Sequence, residues 1–222
     1  AVRAGLEAGA TGLETDAWLS ADGDVVLTHD ERIGGPVFGF WKLAVAHTGT
    51  ERLARRGVPR LTDVFAELGN DFHLSIDVKA RAAAAPIVEI VRAVGVPART
   101  WLCSPSLDDL RDWRVDAPDV RLVHSTSRRR LPDSLERHAA DLAEAKVDTM
   151  NLHYRAWTKG IVSLFHRFGV LAFAWDVQEV RHLTAMLDLG IDAVYCDHVE
   201  RMVATVAEWS DPRPPGPTPG SS

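Results

Sequence analysis

The sequence predicts an α/β protein made of consecutive strand–helix units, and three observations carry that prediction. From Ile76 onward, short apolar strands recur roughly every 20 to 27 residues, each separated from the next by a helix-length amphipathic stretch. Capping residues and glycines stand where those helices would start and stop. One strand, Phe72 to Lys79, is polar on one face, and a strand flanked by helices shows that only where the face points into a barrel mouth or a site. An open doubly wound sheet and a (β/α)8 barrel lacking one strand both fit this rhythm. No Gly-x-Gly-x-x-Gly follows any strand, which weakens the dinucleotide-binding version.

Ala1 to Ala10 reads as the last turns of an amphipathic helix, with Val2 and Leu6 four apart and Gly9 able to supply the left-handed residue that stops it. The chain therefore starts inside a helix, with no Met and no signal-like apolar stretch. A strand over Thr11 to Ser20 and a partner over Asp24 to His29 flank Asp22-Gly23, a strong two-residue hairpin signal. A Gly-rich connection runs over 31–58. Thr62 is the expected cap of a helix with Phe65 and Leu68 on its apolar face. The strand Phe72 to Lys79 and a helix through Ile87, Val91 and Val94 follow. Next come the strand Thr100 to Ser104 and a helix Leu107 to Arg114, opened by the capping box Ser106/Asp109. Strands at Val120 to His124, Val147 to Leu152, Val170 to Trp175 and Ile191 to Cys196 alternate with helices over Pro132 to Ala145, from Thr158 to Gly169, up to Gly190, and near His198 to Glu208. One barrel-type domain over 1–209 is expected, with a Pro/Gly/Ser-rich disordered tail over 210–222.

Composition narrows the function. A net charge of −6 lacks the basic footprint of a nucleic-acid binder. The apolar runs are too short to span a bilayer. Cys103 and Cys196, far apart and each in an expected strand, read as buried thiols; they are neither a disulfide framework nor a zinc site. Few cysteines and no visible signal point to the cytoplasm. His138, His166 and His182 fall in expected helices and read as surface residues, and Trp113, Trp157 and Trp209 as packing residues. Arg128, Arg129 and Arg130 read as a solvated charge run, and His153, Tyr154 and Arg155 as rim candidates at a strand end.

The chemistry gathers on two strands. With Asp22 and Gly23 as the turn, Asp16 would face His29, and Glu14 would face Glu31. Glu14 and Asp16, two apart, share a face. In LSIDVKA, Ser75, Asp77 and Lys79 form the polar face against Leu74, Ile76 and Val78. Three carboxylates (Glu14, Asp16, Asp77) with His29 and Lys79 can thus converge, and oxygen ligands of this kind suit Ca²⁺ or Mg²⁺. The competing readings are a solvated Glu-x-Asp face and a structural Asp77–Lys79 ion pair across a barrel.

The string LETDAWLSADGDVVLTHDE resembles the signature of the glycerophosphodiester phosphodiesterase family: a Glu-x-Asp strand, an Asp-Gly hairpin and a return strand ending in His-Asp. VPRLTDVF resembles its "proline, apolar, Thr, acid" helix start, LSIDVKA stands in place of its Glu-x-Lys strand, and TWLCSPSLDDL in place of its strand ending in Ser-Phe. FAWDVQEVRHLTAMLDLGIDAVYCDHVERM resembles its terminal pair of units. The resemblance implies a (β/α)8 barrel, without its first strand in this chain, that hydrolyses glycerophosphodiesters to glycerol 3-phosphate and an alcohol. It implies Glu14, Asp16 and Asp77 as ligands of a divalent metal, His29 as acid/base, Lys79 as a phosphate-facing cation, and Trp175 lining the glycerol side. It also implies attack by the substrate's own glycerol hydroxyl, through a cyclic phosphate. The partner implied is a small-molecule glycerophosphodiester.

The chain departs from the family pattern in places. The His-Arg-Gly strand and the Glu-Asn-Thr helix start, which carry a second catalytic histidine and a phosphate-binding arginine, are not among these residues. Asp77 replaces the usual Glu, Asp176 stands where Thr is frequent, and ERIGGPVFGFW replaces an Asp-Arg-Thr-Thr segment. Two further functions share the ligand set: a barrel that binds a metal or phosphodiester without turnover, and a related phospholipase acting on lysolipids.

Overall fold

The computed structural model describes residues 2–34 and 42–211. Part of the Gly-rich connection, 35–41, and the tail expected to be disordered, from 212 on, lie outside the described residues.

In chain order the elements are α1 (Val2–Glu7), β1 (Gly12–Leu19), β2 (Val25–Leu27), β3 (Arg32–Ile33), β4 (Leu43–Ala44), α2 (Thr50–Ala54), α3 (Leu61–Leu68), β5 (His73–Val78) and α4 (Ala84–Val94). They continue as β6 (Thr100–Ser104), α5 (Leu107–Asp116), β7 (Arg121–Ser125), α6 (Leu135–Glu144), β8 (Thr149–His153), α7 (Lys159–Arg167), β9 (Leu171–Trp175), α8 (Val180–Leu189), β10 (Ala193–Val194) and α9 (Val199–Ser210).

The main sheet runs β10-β9-β8-β7-β6-β5-β1-β2, parallel throughout except for the β1–β2 hairpin. It curls on itself. Ser75 on β5 and Tyr195 just after β10 lie toward opposite ends of the strand order, yet their hydroxyls are 2.9 Å apart. Trp101 on β6 and Phe173 on β9 meet inside with ring centroids 5.1 Å apart, and Phe173 meets Tyr195 at 6.1 Å. The barrel expectation is therefore correct, and the doubly wound alternative is excluded. Among the described residues no strand lies between β10 and the first half of β1. Outside that gap α1 approaches α9 through small residues: a Cβ on Gly5 would lie 3.6 Å from Val199, and one on Gly9 3.3 Å from Val203.

The outer faces of the strands bury Ile76, Leu102, Leu122, Met150 and Leu152 against the helices. The expected helix signals operate at α5, where Ser106 Oγ accepts from Asp109 N, and at α7, where Thr158 Oγ1 accepts from Ile161 N. Gly95 and Gly190 end α4 and α8 in the left-handed conformation. At α3 the expectation fails. Thr62 lies inside the first turn, and the Asp63 carboxylate accepts from the Arg60 backbone N–H and guanidinium instead.

The hairpin register is shifted by one from the expected pairing: Ala17 pairs with Leu27 and Leu19 with Val25. Ser20 and Asp24 close a three-residue loop in which Gly23 has φ +85°. That is a longer hairpin class than the two-residue turn Asp-Gly suggests. The ladder ends at Leu27, so neither His29 nor Glu31 faces β1 across it; the backbone of Asp16 pairs with Thr28 N instead.

Three side-chain expectations are also corrected. His138 is buried between α6 and the sheet, Trp209 is exposed, and Cys196 is half-buried and outside the strands. His138 is buried because His124 on β7 gives it a partner: His138 Nε2 lies 3.1 Å from His124 Nδ1, and His124 Nε2 lies 3.2 Å from Pro105 O. A carbonyl only accepts, so His124 carries its proton on Nε2 and accepts from His138 at Nδ1. Both rings are neutral. Burial first, and then His138, lowers the His124 pKa from 6.5 to about 4; burial lowers His138 as well.

The unfolded imidazole takes a proton near 6.5 and the folded one only near 4, so the unfolded state binds more protons between those values. Stability should fall as pH drops through that window, by up to about 3 kcal/mol from His124. Urea unfolding at pH 7.5 and pH 4.5 checks this. The acid loss should shrink in His124→Gln, and an unchanged loss would contradict it.

Candidate active site

The carboxyl ends of the strands surround a cavity of about 520 Å³. Barrels place their chemistry on this face because the strand ends and the loops after them can vary without touching the core. The walls differ. One side carries Glu14, Asp16, Asp77 and Lys79 from β1 and β5, with His29 from the segment after β2. Ser125 and Asn151 line the cavity from β7 and β8, Cys103 and Tyr195 meet Ser75 in the floor, and Trp175, Asp176, Gln178 and Asp197 stand at the rim.

The acidic side follows from the β1–β5 register, which sets Glu14 opposite Ser75 and Asp16 opposite Asp77. Two carboxylates directly opposite on one face repel. Lys79, just past the end of β5 and on the same side as Asp77, lies between them, with Nζ 2.9 Å from Asp16 Oδ1 and 2.5 Å from Asp77 Oδ2. Burial, which alone would lower the Lys79 pKa, is outweighed by these two bonds, and the ammonium is held above its ordinary value. Glu14 opens to the cavity, but the walls strip water from its carboxyl. Burial first, then the charges of Asp16 and Asp77, push its pKa up to about 7. One ammonium thus leaves the wall short of positive charge.

The structure brings every expected site residue to this cavity, and it also realises the competing Asp77–Lys79 ion pair. His29 lies on the wall with its ring largely exposed, and Nδ1 is 3.0 Å from Asp30 Oδ1. The hydrogen bond to Asp30, then the charges of Asp16 and Asp30, raise its pKa. Trp175 ends β9 with 37% of its surface exposed and packs edge-on against His153, centroids 4.6 Å apart.

Among the described residues, no three of the His, Cys, Asp and Glu side chains are grouped, as they stand, to hold an ion; Lys79 occupies the space between two of them. The donor chemistry still fits a hard divalent cation. All three groups are carboxylates on one face, and the charges of Asp16 and Asp77 add to burial in raising Glu14.

His153 and Arg155 stand at the rim as expected from the sequence, whereas Gln178, Tyr195, Ser125 and Asn151 were not picked out as site residues. His153 Nε2 bonds Asp176 Oδ2 at 3.1 Å, while His153 Nδ1 accepts from Arg155 N at 3.2 Å, which fixes the proton on Nε2. The bond holds Asp176 at φ +63°, a left-handed conformation rare outside glycine, beside the cavity. Gln178 and Asp197 bond reciprocally: Gln178 Nε2 donates to Asp197 Oδ2 at 2.9 Å, and Asp197 N to Gln178 Oε1 at 3.0 Å. In the floor, Ser75 Oγ links Tyr195 OH to Cys103 Sγ at 3.3 Å, and burial raises both the thiol and the phenol pKa. Polar inward positions on β7 and β8, such as Ser125 and Asn151, were the available signal. The alternation that exposed Asp77 on β5 applies to them equally. Arg128, Arg129 and Arg130 lie exposed after β7, as a solvated run.

Fold and site together define an α/β-barrel protein whose reactive groups gather at the strand carboxyl ends, around an acidic cavity short of positive charge. The chain belongs to the glycerophosphoryl diester phosphodiesterase family, whose model matches residues 1–201. It is 23% identical over 230 residues to a glycerophosphodiester phosphodiesterase of Caldanaerobacter subterraneus subsp. tengcongensis, spanning 93% of this chain and 90% of that protein. Its fold is similar to that of the glycerophosphodiester phosphodiesterase of Thermotoga maritima, with TM-score 0.79, 24% identity, and coverage of 92% of this chain and 89% of that one. It is also similar to an Oleispira antarctica phosphodiesterase solved with the product sn-glycerol-3-phosphate, with TM-score 0.76, 17% identity, and coverage of 93% and 89%.

The register that builds the acidic wall depends on close approach at Gly12, where a Cβ would lie 2.8 Å from His73 O and 3.0 Å from His73 Cβ. Gly12→Ala should therefore destabilise the fold by about 1–3 kcal/mol through overpacking. Urea unfolding measures it, and a neutral substitution would show that β1 and β5 can separate without loss.

Proposed function

We propose that this protein hydrolyses glycerophosphodiesters to glycerol 3-phosphate and an alcohol. The observation that supports the reading most directly is the shared wall of Glu14, Asp16, Asp77, Lys79 and His29 in a family of phosphodiesterases. The product carried by the Oleispira antarctica structure is in keeping with it.

A phosphodiester is anionic and resists nucleophiles, so the site has to supply positive charge and a proton. Glu14, Asp16 and Asp77 would hold a divalent cation, Ca²⁺ or Mg²⁺. When bound, such an ion neutralises charge on phosphoryl oxygens. Lys79 is the one ammonium on this wall among the described residues and presents a fixed positive charge to the phosphate. His29, kept protonated toward neutral pH by Asp30, gives its proton to the departing alkoxide as the substrate's own glycerol hydroxyl, losing its proton to solvent, bonds to phosphorus and the bond to the alcohol breaks. Water then opens the cyclic phosphate to glycerol 3-phosphate. Trp175 offers its exposed ring to the carbon skeleton of the substrate.

A second reading has one observation in its favour. Lys79 already bridges Asp16 and Asp77, as a structural ion pair in a barrel that binds without turnover would require.

Glycerophosphocholine hydrolysis separates the two. The enzyme should lose turnover to a chelator and regain it with Ca²⁺ or Mg²⁺. His29→Ala should lower kcat by roughly 10²–10⁴-fold, and Lys79→Met by roughly 10²–10³-fold. Turnover indifferent to chelator and to both substitutions would overturn the hydrolytic reading, and binding without turnover would favour the second.

A further inference from the structure

Asn151 stands on β8, four strands along the sheet from β1, on the cavity wall away from the carboxylates. It is only 6% exposed. Its Nδ2 donates to Ser125 Oγ on the neighbouring strand at 3.0 Å, and the β7–β8 register sets the two residues directly opposite each other. Its Oδ1 has no hydrogen-bond partner among the described residues. A buried acceptor left without a donor is a costly state that folded proteins seldom keep without a use for it. Ser125 uses its oxygen to accept from the amide, and its own O–H proton has no protein acceptor among the described residues. It too lines the cavity.

The pair therefore holds one acceptor and one donor, both uncharged, side by side. A phosphate oxygen only accepts and an ammonium only donates, so neither uses both groups. A hydroxyl gives one hydrogen bond and takes another, and it is the complement of the pair. We propose that Asn151 and Ser125 form a hydroxyl-recognition subsite, which takes a neutral alcohol group of a ligand whose phosphate lies toward Lys79. The inference rests on the phosphodiester reading for the identity of the ligand. The hydroxyl could belong to the glycerol moiety or to the leaving alcohol.

Three ligands distinguish these sources: glycerophosphoglycerol, the propyl ester of glycerol phosphate, and the propyl ester of propane-1,2-diol phosphate. The first two differ in the hydroxyls of the leaving alcohol, the last two in the terminal hydroxyl of the glycerol. Each is read as kcat/KM, or as Kd by calorimetry if the protein binds without turnover. One of the two ratios should be about tenfold to a hundredfold in the wild type. It should collapse toward unity in Asn151→Leu and in Ser125→Ala, and the ratio that collapses names the source. Ratios near unity in the wild type, or ratios that survive both substitutions, would overturn the subsite. Loss of the cooperative thermal transition in both variants would assign the pair to barrel stability and overturn it equally. A collapsing Kd ratio without turnover would keep the subsite and remove the hydrolytic reading; turnover with surviving ratios would do the reverse.

Discussion

The ammonium of Lys79, held between Asp16 and Asp77, is the contact on which the site depends. Parallel pairing of β1 with β5 fixes those two carboxylates opposite each other, and the same pairing carries Glu14 onto the wall. Without a cation between them, like charges would face each other across a ladder where each already lacks part of its water. Lys79 is well placed to relieve this because its own backbone stays in the ladder, with Lys79 N donating to Ala17 O at 3.0 Å. One ammonium faces three carboxylates, and burial, with the charges of Asp16 and Asp77 added to it, raises Glu14 to about 7. The strut that stabilises the two strands and the charge that would meet a phosphate are the same group. Any anion drawn to Lys79 competes with Asp16 and Asp77 for it, and a second cation among the carboxylates would settle that competition.

Most of the scaffold was legible in the sequence because its signals are local. Ser106, Thr158 and Gly190 act within one turn of their own helices, and the alternation in LSIDVKA belongs to a single strand. The hairpin was misread because its deciding contacts are distant. Ser20 Oγ accepts from the backbone of Asp22 and Asp24 and bonds Thr50 Oγ1 at 2.8 Å, while Thr50 donates its N–H to Asp22 at 2.6 Å and its hydroxyl to Asp24 at 2.7 Å. Those bonds select a three-residue loop; the bonds from Asp22 and Asp24 to Ser20 lie within the hairpin, but the three from Thr50 come from a residue 26 to 30 positions away. The shift moves His29 off the ladder, yet His29 still reaches the cavity wall, because the segment after β2 runs along the same rim.

The carboxylate half of the site was read from two short strings, whereas the neutral half was passed over although the same strand alternation marks it. Glu14, Asp16 and Asp77 betray themselves as charges in strands that ought to be apolar. Ser125 and Asn151 are uncharged and pass for residues at a half-buried strand end. His138 failed for a related reason: a histidine in an amphipathic helix reads as solvent-facing until a second imidazole, on a strand packed beneath it, supplies the hydrogen bond that makes burial tolerable.

The floor beneath the cavity explains how the two halves are held at a fixed separation. Trp101, Phe173 and Tyr195 pack across the interior from three different strands or their ends, and Tyr195 OH then joins Ser75, next to Asp77 on the acidic strand. This aromatic layer links β10 to β5 through side chains where the backbone ladder does not connect them directly. On the outside, α1 and α9 approach at glycines, so the two ends of the sheet are also drawn together by helix packing. Curvature in this barrel therefore rests on side-chain contacts across the middle as well as on strand pairing around the rim. The carboxylate wall and the Asn151–Ser125 wall are fastened to opposite sides of that layer, and the spacing between charge and neutral hydrogen-bonding groups is a property of the core, not of the loops above it.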